Sequence, residues 1–127
     1  MDNAESIRAI HYALDEGINF FDTAANYGCG HSERILGQAI AGQRDRVIIA
    51  TKFGYVIDEK SRIVTRNDEN VVNRIRQECE ASLRRLKTDY IDLYQFHKGA
   101  FHLSYKVVKR RKVTGYTWNG CLRQMLG

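Results

Sequence analysis

Four side chains form a set able to do chemistry together: Asp22, Tyr27, Lys52 and His97. Reducing a carbonyl needs a hydride at carbon and a proton at oxygen. A tyrosine serves as the proton donor when its pKa, about 10 unperturbed, is drawn toward working pH. A neighbouring ammonium draws it down, because a cation favours the phenolate. A carboxylate paired with that lysine keeps it charged and in place. A histidine can hydrogen-bond the substrate oxygen and stabilise the charge that develops there. Tyr27 would then be the general acid, Lys52 and Asp22 would tune it, and His97 would orient the carbonyl. The hydride must come from a cofactor, since no side chain supplies one. Taken singly, each residue has an ordinary explanation as a turn former, a solvated amine, a packing ring or a loop histidine. Their common placement favours function.

That placement comes from the elements around them. Ile7, Ile10 and Leu14 recur at helical spacing over residues 3–16, with Gly17 at the expected stop. The short apolar run 18–21 predicts a strand ending at Asp22, followed by a loop with Gly28 and Gly30. A second helix begins at His31 or Ser32, carries Ile35, Leu36, Ala39 and Ile40 on one face, and ends at Gly42. Residues 47–50 are continuously apolar, as in a strand buried on both faces, and lead into Thr51 and Lys52. No strong element signal occurs in the polar stretch 53–66. A third helix, capped by Thr65 or Asn67, carries the stripe Val71, Val72, Ile75, Cys79, Ser82, Leu83 and Leu86. A strand over 90–96 then ends at His97. Strands near 18–22, 46–51 and 90–96 alternating with helices imply an α/β fold with a parallel sheet. In such a sheet all strands end at one edge, where functional groups gather. The strand ends put Asp22, Lys52 and His97 there, with Tyr27 in the loop just after the first.

Composition sets the outer limits. The 127 residues suit one domain, and 43% hydrophobic with 28% charged residues is a globular profile rather than a disordered one. No apolar run approaches the roughly 20 residues of a membrane helix, and no secretory signal is visible. Cys29, Cys79 and Cys121 are an odd number with no CxxC pair, which suits a reducing compartment and a cytoplasmic location. The net charge of +5 is local. After His97 come Lys98, Lys106, Lys109, Arg110, Arg111, Lys112 and Arg123 with no acid, leaving a net of −2 for residues 1–97. The chain therefore reads as a body over 1–97 and a divergent basic tail over 98–127.

The segment 17–28, Gly-Ile-Asn-Phe-Phe-Asp-Thr-Ala-Ala-Asn-Tyr-Gly, with Ser32-Glu33 after it, resembles the signature of the aldo-keto reductase family. Ile-Ala-Thr-Lys-Phe-Gly at 49–54 does so too, and 80–97 is similar to the family's third helix and fourth strand. The resemblance spans about residues 4–97. It implies a partial TIM (β/α)8 barrel and NADPH as cofactor. It also implies a small-molecule aldehyde or ketone substrate and a catalytic tetrad on Asp22, Tyr27, Lys52 and His97. Asp22 would also lie beside the nicotinamide ribose.

The departures are informative. A whole barrel takes about 250 residues, and most of the family's cofactor contacts come from its later strands. Residues 112–119 resemble the family's fifth strand, or else the tail is unrelated to it. The alternative to an active reductase is an inactive, truncated fragment whose open sheet edges invite self-association. A further reading, nucleic-acid binding by Lys109-Arg110-Arg111-Lys112, meets the objection that a charge run is usually a solvated face. Gly28-Cys29-Gly30 lacks the context of a phosphate loop, and no Cys/His spacing matches a metal template.

Overall fold

The structure is a computed structural model that describes residues 2–66, 71–97, 103–107 and 113–117. Helix α1 (Asn3–Asp15) starts where Asp2 accepts the Glu5 N–H at 2.7 Å, an N-cap that satisfies one orphan amide. It ends as predicted at Gly17, in the left-handed region at φ 89°. The Ile18 N–H turns back to Ala13 O at 2.9 Å, closing the helix in the manner of a Schellman cap. Ile18 is thereby tied to the helix end, and strand β1 (Phe20–Asp22) begins two residues later than the apolar run suggests. Helix α2 (His31–Ala39) and strand β2 (Ile48–Phe53) follow, joined by a 3-10 turn at Arg44–Arg46. Helix α3 (Val71–Leu86) precedes strand β5 (Ile91–Phe96).

β1, β2 and β5 are parallel neighbours, with Asp22 opposite Ala50 and Lys52 opposite Gln95. The three parallel strands anticipated from the sequence are present, and alternate with helices. They form part of an α/β barrel wall, and among the described residues the sheet does not close. The core lies between one sheet face and the helices. Leu14, Leu36, Ile40, Ile49, Phe53, Ile75, Leu83, Leu86, Ile91 and Tyr94 are buried there together. Cys79 on the α3 stripe belongs to the same core. The opposite face carries Phe20, Asp22, Ile48 and Lys52. Ile48 is 40% exposed and Phe20 48% exposed, whereas Ala50 on the same face is buried, so the expected burial of β2 on both faces holds at its middle and fails at its first residue.

Two contacts fix how α2 sits. A Cβ on Gly37 would stand 2.6 Å from the Leu86 carbonyl oxygen, so only glycine allows α2 this close to the end of α3. Glu33, fully buried, accepts from Thr51 Oγ1 at 2.6 Å and pairs with Arg85 from α3. Arg85 also reaches Glu59 and Ser82. Burial opposes the guanidinium charge, but Glu33 and Glu59 outweigh it and hold the Arg85 pKa above its ordinary value. On the far side, Asp92 Oδ2 accepts the Ile49 N–H at 2.8 Å and an Arg44 N–H at 2.7 Å. Arg44 also lies 3.7 Å over the Tyr90 ring.

The structure adds elements the sequence did not signal. Residues 53–66 contain an antiparallel hairpin, β3 (Tyr55–Asp58) and β4 (Ile63–Arg66). Thr65 lies within β4 and so cannot cap α3, and Asn67 is outside the described residues. In the tail, β6 (Leu103–Val107) pairs antiparallel with β5, and β7 (Val113–Thr117) pairs antiparallel with β6. The change of charge after His97 is therefore not a break in the sheet. The segment likened to a fifth barrel strand contains β7, which runs antiparallel to its neighbour. The basic run 109–112 lies outside the described residues.

Candidate active site

The parallel strands deliver their C-terminal ends to one edge, as the strand pattern requires. Asp22 closes β1, Lys52 is the penultimate residue of β2, and His97 follows β5 directly. Three backbone bonds hold this edge: Thr23 N–H to Ala50 O at 2.8 Å, Ala25 N–H to Lys52 O at 3.4 Å, and His97 N–H to Phe53 O at 2.8 Å. They carry the sheet pairing past the ends of β1 and β5, so the loop bearing Tyr27 starts from a fixed stem.

All four residues singled out from the sequence converge here. Lys52 Nζ donates to Asp22 Oδ1 at 2.8 Å and to Thr23 O at 2.8 Å. The lysine side chain is only 15% exposed, while that of Asp22 is 53% exposed. The ammonium is thus fixed by two acceptors, and Asp22 keeps a solvent-facing edge. Lys52 Nζ lies 5.4 Å from the Tyr27 ring centroid. The Tyr27 and His97 rings meet edge-on, with centroids 5.7 Å apart at 87°. Burial and the charges of Lys52 and Arg66 hold the His97 pKa below its ordinary value, and Asp22 opposes them in part. The imidazole is therefore neutral near pH 7.

Local sequence explains the loop. Gly28, Cys29 and Gly30 all have positive φ, at 58°, 55° and 87°. Gly30 is required twice over, since a Cβ there would also stand 2.8 Å from Arg85 Cδ. Thr23 Oγ1 and Ser32 Oγ, 2.8 Å apart, tie the strand end to α2 across the loop. An open groove of about 430 Å³ leads from this edge between α1 and α2, lined by Ile10, Phe21, Asp22, Tyr27, His31 and Leu36.

Two residues of the site carry no sequence signal. Asn26 Oδ1 lies 2.9 Å from His97 Nδ1, a partnership across 71 positions that spacing cannot reveal. Tyr55 also stands edge-on to His97, at 5.4 Å and 73°. It belongs to the hairpin that the polar stretch concealed. Among the described residues there is no cluster of His, Cys, Asp and Glu able to hold a metal ion.

Known proteins resemble this chain in sequence and in fold. The family model described as "Aldo/keto reductase family" matches residues 1–110, past the point where the motif resemblance stops. The chain is 50% identical over 98 residues to aldo-keto reductase YhdN of Bacillus subtilis, covering 76% of this chain and 28% of that protein. Its structure is similar to the holo form of aldo-keto reductase AKR11C1 from Bacillus halodurans, with TM-score 0.70 and 37% identity, over 78% of this chain and 33% of that one. It is also similar to an aldo-keto reductase from Klebsiella pneumoniae in complex with NADPH. There the TM-score is 0.59 and the identity 33%, over 78% of this chain and 31% of the other. The chain spans about 28–34% of the length of the curated relatives it matches.

Proposed function

This chain belongs to the aldo/keto reductase family of oxidoreductases, and from that premise we propose that it is built for NADPH-dependent reduction of a small aldehyde or ketone. The observation that carries the reading is the convergence of Tyr27, a Lys52 held by Asp22 and a neutral His97 on one sheet edge. The same set serves the reverse oxidation, since a proton donor in one direction is a base in the other.

Each side chain has a defined task. Tyr27 gives its hydroxyl proton to the carbonyl oxygen as that oxygen gains charge. Lys52 stands beside the ring as a fixed cation, so the phenolate left after proton transfer is stabilised in place rather than by reorganising water. Asp22 and the Thr23 carbonyl hold the ammonium in place. His97 approaches the same oxygen from the β5 side and orients it. NADPH, when bound, supplies the hydride. Asp22 fits the role of a ribose contact: one oxygen serves Lys52, and its side chain is half exposed. That the complex with NADPH is among the similar structures supports the cofactor assignment.

The free thiols Cys29 and Cys79 suit a reducing compartment, and we assign the chain to the cytoplasm on that chemistry. No described helix is long and apolar enough to cross a membrane. The test is direct. Protein incubated with NADPH and a reactive aldehyde should oxidise the cofactor, and Tyr27→Phe should abolish the reaction. A rate unchanged in that variant would overturn the tyrosine mechanism. A second reading, favoured by the short span relative to the relatives, is that the 127-residue chain carries the site without gripping the cofactor. Fluorescence titration separates the two, because that reading fails if NADPH binds tightly to a folded monomer.

A further inference from the structure

His97 is held at one nitrogen and open at the other. Its Nδ1 faces the Asn26 carboxamide at 2.9 Å. No hydrogen-bond partner for Nε2 occurs among the described residues. The ring is edge-on to both Tyr27 and Tyr55. The charged groups acting on it are Lys52 and Arg66, which disfavour a second proton, and Asp22, which favours one. A neutral imidazole carries a single proton, so the choice of nitrogen decides whether Nε2 donates or accepts.

A carboxamide can meet either choice, because it has an acceptor oxygen and a donor nitrogen at nearly the same place. With Oδ1 toward the ring, Asn26 accepts from Nδ1–H, and Nε2 presents a lone pair suited to an alcohol hydroxyl. Turned about its Cβ–Cγ bond, it donates Nδ2–H to Nδ1. The proton then sits on Nε2, where it can be donated to a carbonyl oxygen. We infer that Asn26 is a positioning residue for His97, setting which ring nitrogen bears the proton and so fitting one neutral imidazole to both the carbonyl and the alcohol. What meets Nε2 rests on the reductase reading, whereas the Asn26–His97 pair stands on the geometry alone.

The experiment is nitrogen NMR on the 127-residue chain carrying ¹⁵N-labelled histidine, with the His97 signals assigned by their loss in His97→Asn. Wild type is compared with Asn26→Asp and Asn26→Leu. Aspartate can only accept, so His97 should shift fully to the Nδ1–H form and bind its second proton at least about tenfold more tightly, since a carboxylate then faces the ring. Leucine removes the partner, and the tautomer ratio should move away from that of wild type. If Asn26→Leu fails to fold, Asn26→Asp decides alone. Unchanged tautomer and proton affinity in Asn26→Asp would overturn the inference whatever the activity. With NADPH and an aldehyde, Asn26→Asp should lose reduction as pH rises and His97 returns to its Nδ1–H form, through a higher KM, while alcohol oxidation persists. If the NMR changes appear and no chain reduces aldehyde, the reductase reading fails and the Asn26 assignment stands.

Discussion

Replacing Glu33 by alanine should remove much of the stability of the chain. Glu33 is fully buried, and the Arg85 side chain it pairs with is only 5% exposed. Removing one partner of a buried pair typically costs about 3–5 kcal/mol, because the other charge is left without compensation. Here Arg85 retains a weaker contact with Glu59 at 3.4 Å, on a side chain 34% exposed, which moves the expectation toward the lower end. Thr51 works the other way, because its buried hydroxyl loses its acceptor, a loss of about 1 kcal/mol or more. The result is a loss of about 3–4 kcal/mol, against a total of about 5–15 kcal/mol for a typical domain. At about 4 °C per kcal/mol for this size, the melting temperature should fall by about 12–16 °C. Urea unfolding followed by circular dichroism, with linear extrapolation, gives the free energy directly. The double variant Glu33→Leu with Arg85→Met should recover most of the loss, since apolar replacement removes both desolvation costs together. A Glu33→Ala loss below about 1 kcal/mol, or a double variant no better than the single one, would refute the view that this pair locks α2 to β2 and α3.

Three further outcomes follow from the same structure. Burial, then the charges of Glu80 and Glu33, push the Cys79 thiol up to about 12, so an alkylating reagent at pH 8 should label Cys29 and spare Cys79 in the folded chain. Labelling of Cys79 as fast as Cys29 would contradict its place in the core. His97, held below its ordinary pKa, binds fewer protons folded than unfolded. Its contribution to stability is therefore fully present above about pH 6.5 and is lost as pH falls through the folded value. The stability gap between wild type and His97→Asn should accordingly be wider at pH 7.5 than at pH 5, and a gap that widens on acidification would reverse the sign. Finally, β1 is an edge strand among the described residues, and Ile18, Phe20 and Ile48 are exposed on or beside it. Such features favour association, so light scattering should show a mass that rises with concentration above 14.7 kDa, and less so in Phe20→Lys.

The parts of the fold legible in the sequence are those where burial writes a period. The α3 stripe of Ile75, Cys79, Leu83 and Leu86 faces the sheet as its spacing requires, and the runs that became β2 and β5 pair where an α/β pattern puts them. The hairpin of β3 and β4 was illegible for equally physical reasons. Its residues are half-buried or exposed, so no alternation marks them. Its turn places Arg62 rather than glycine in the left-handed region, at φ 57°, so the usual turn signal is missing. The double burial expected of β2 holds from Ile49 to Thr51 and fails only at Ile48, the first residue of the strand.

The site divides along the same line. Asp22, Lys52 and His97 could be placed because a parallel sheet sends every strand end to one edge, a constraint of topology that needs no knowledge of side-chain contacts. Tyr27 followed because a short loop leaves it no distance to travel. What topology cannot supply is the tuning around them. Asn26 and Tyr55 reach His97 through side-chain geometry, and neither position is required by any backbone pattern. Lys52 shows both levels at once. Its position is a matter of strand register, but its fitness as a fixed cation depends on Asp22 and the Thr23 carbonyl arriving at 2.8 Å each. Strand order therefore determines which residues meet, and the loops determine what chemistry the meeting supports.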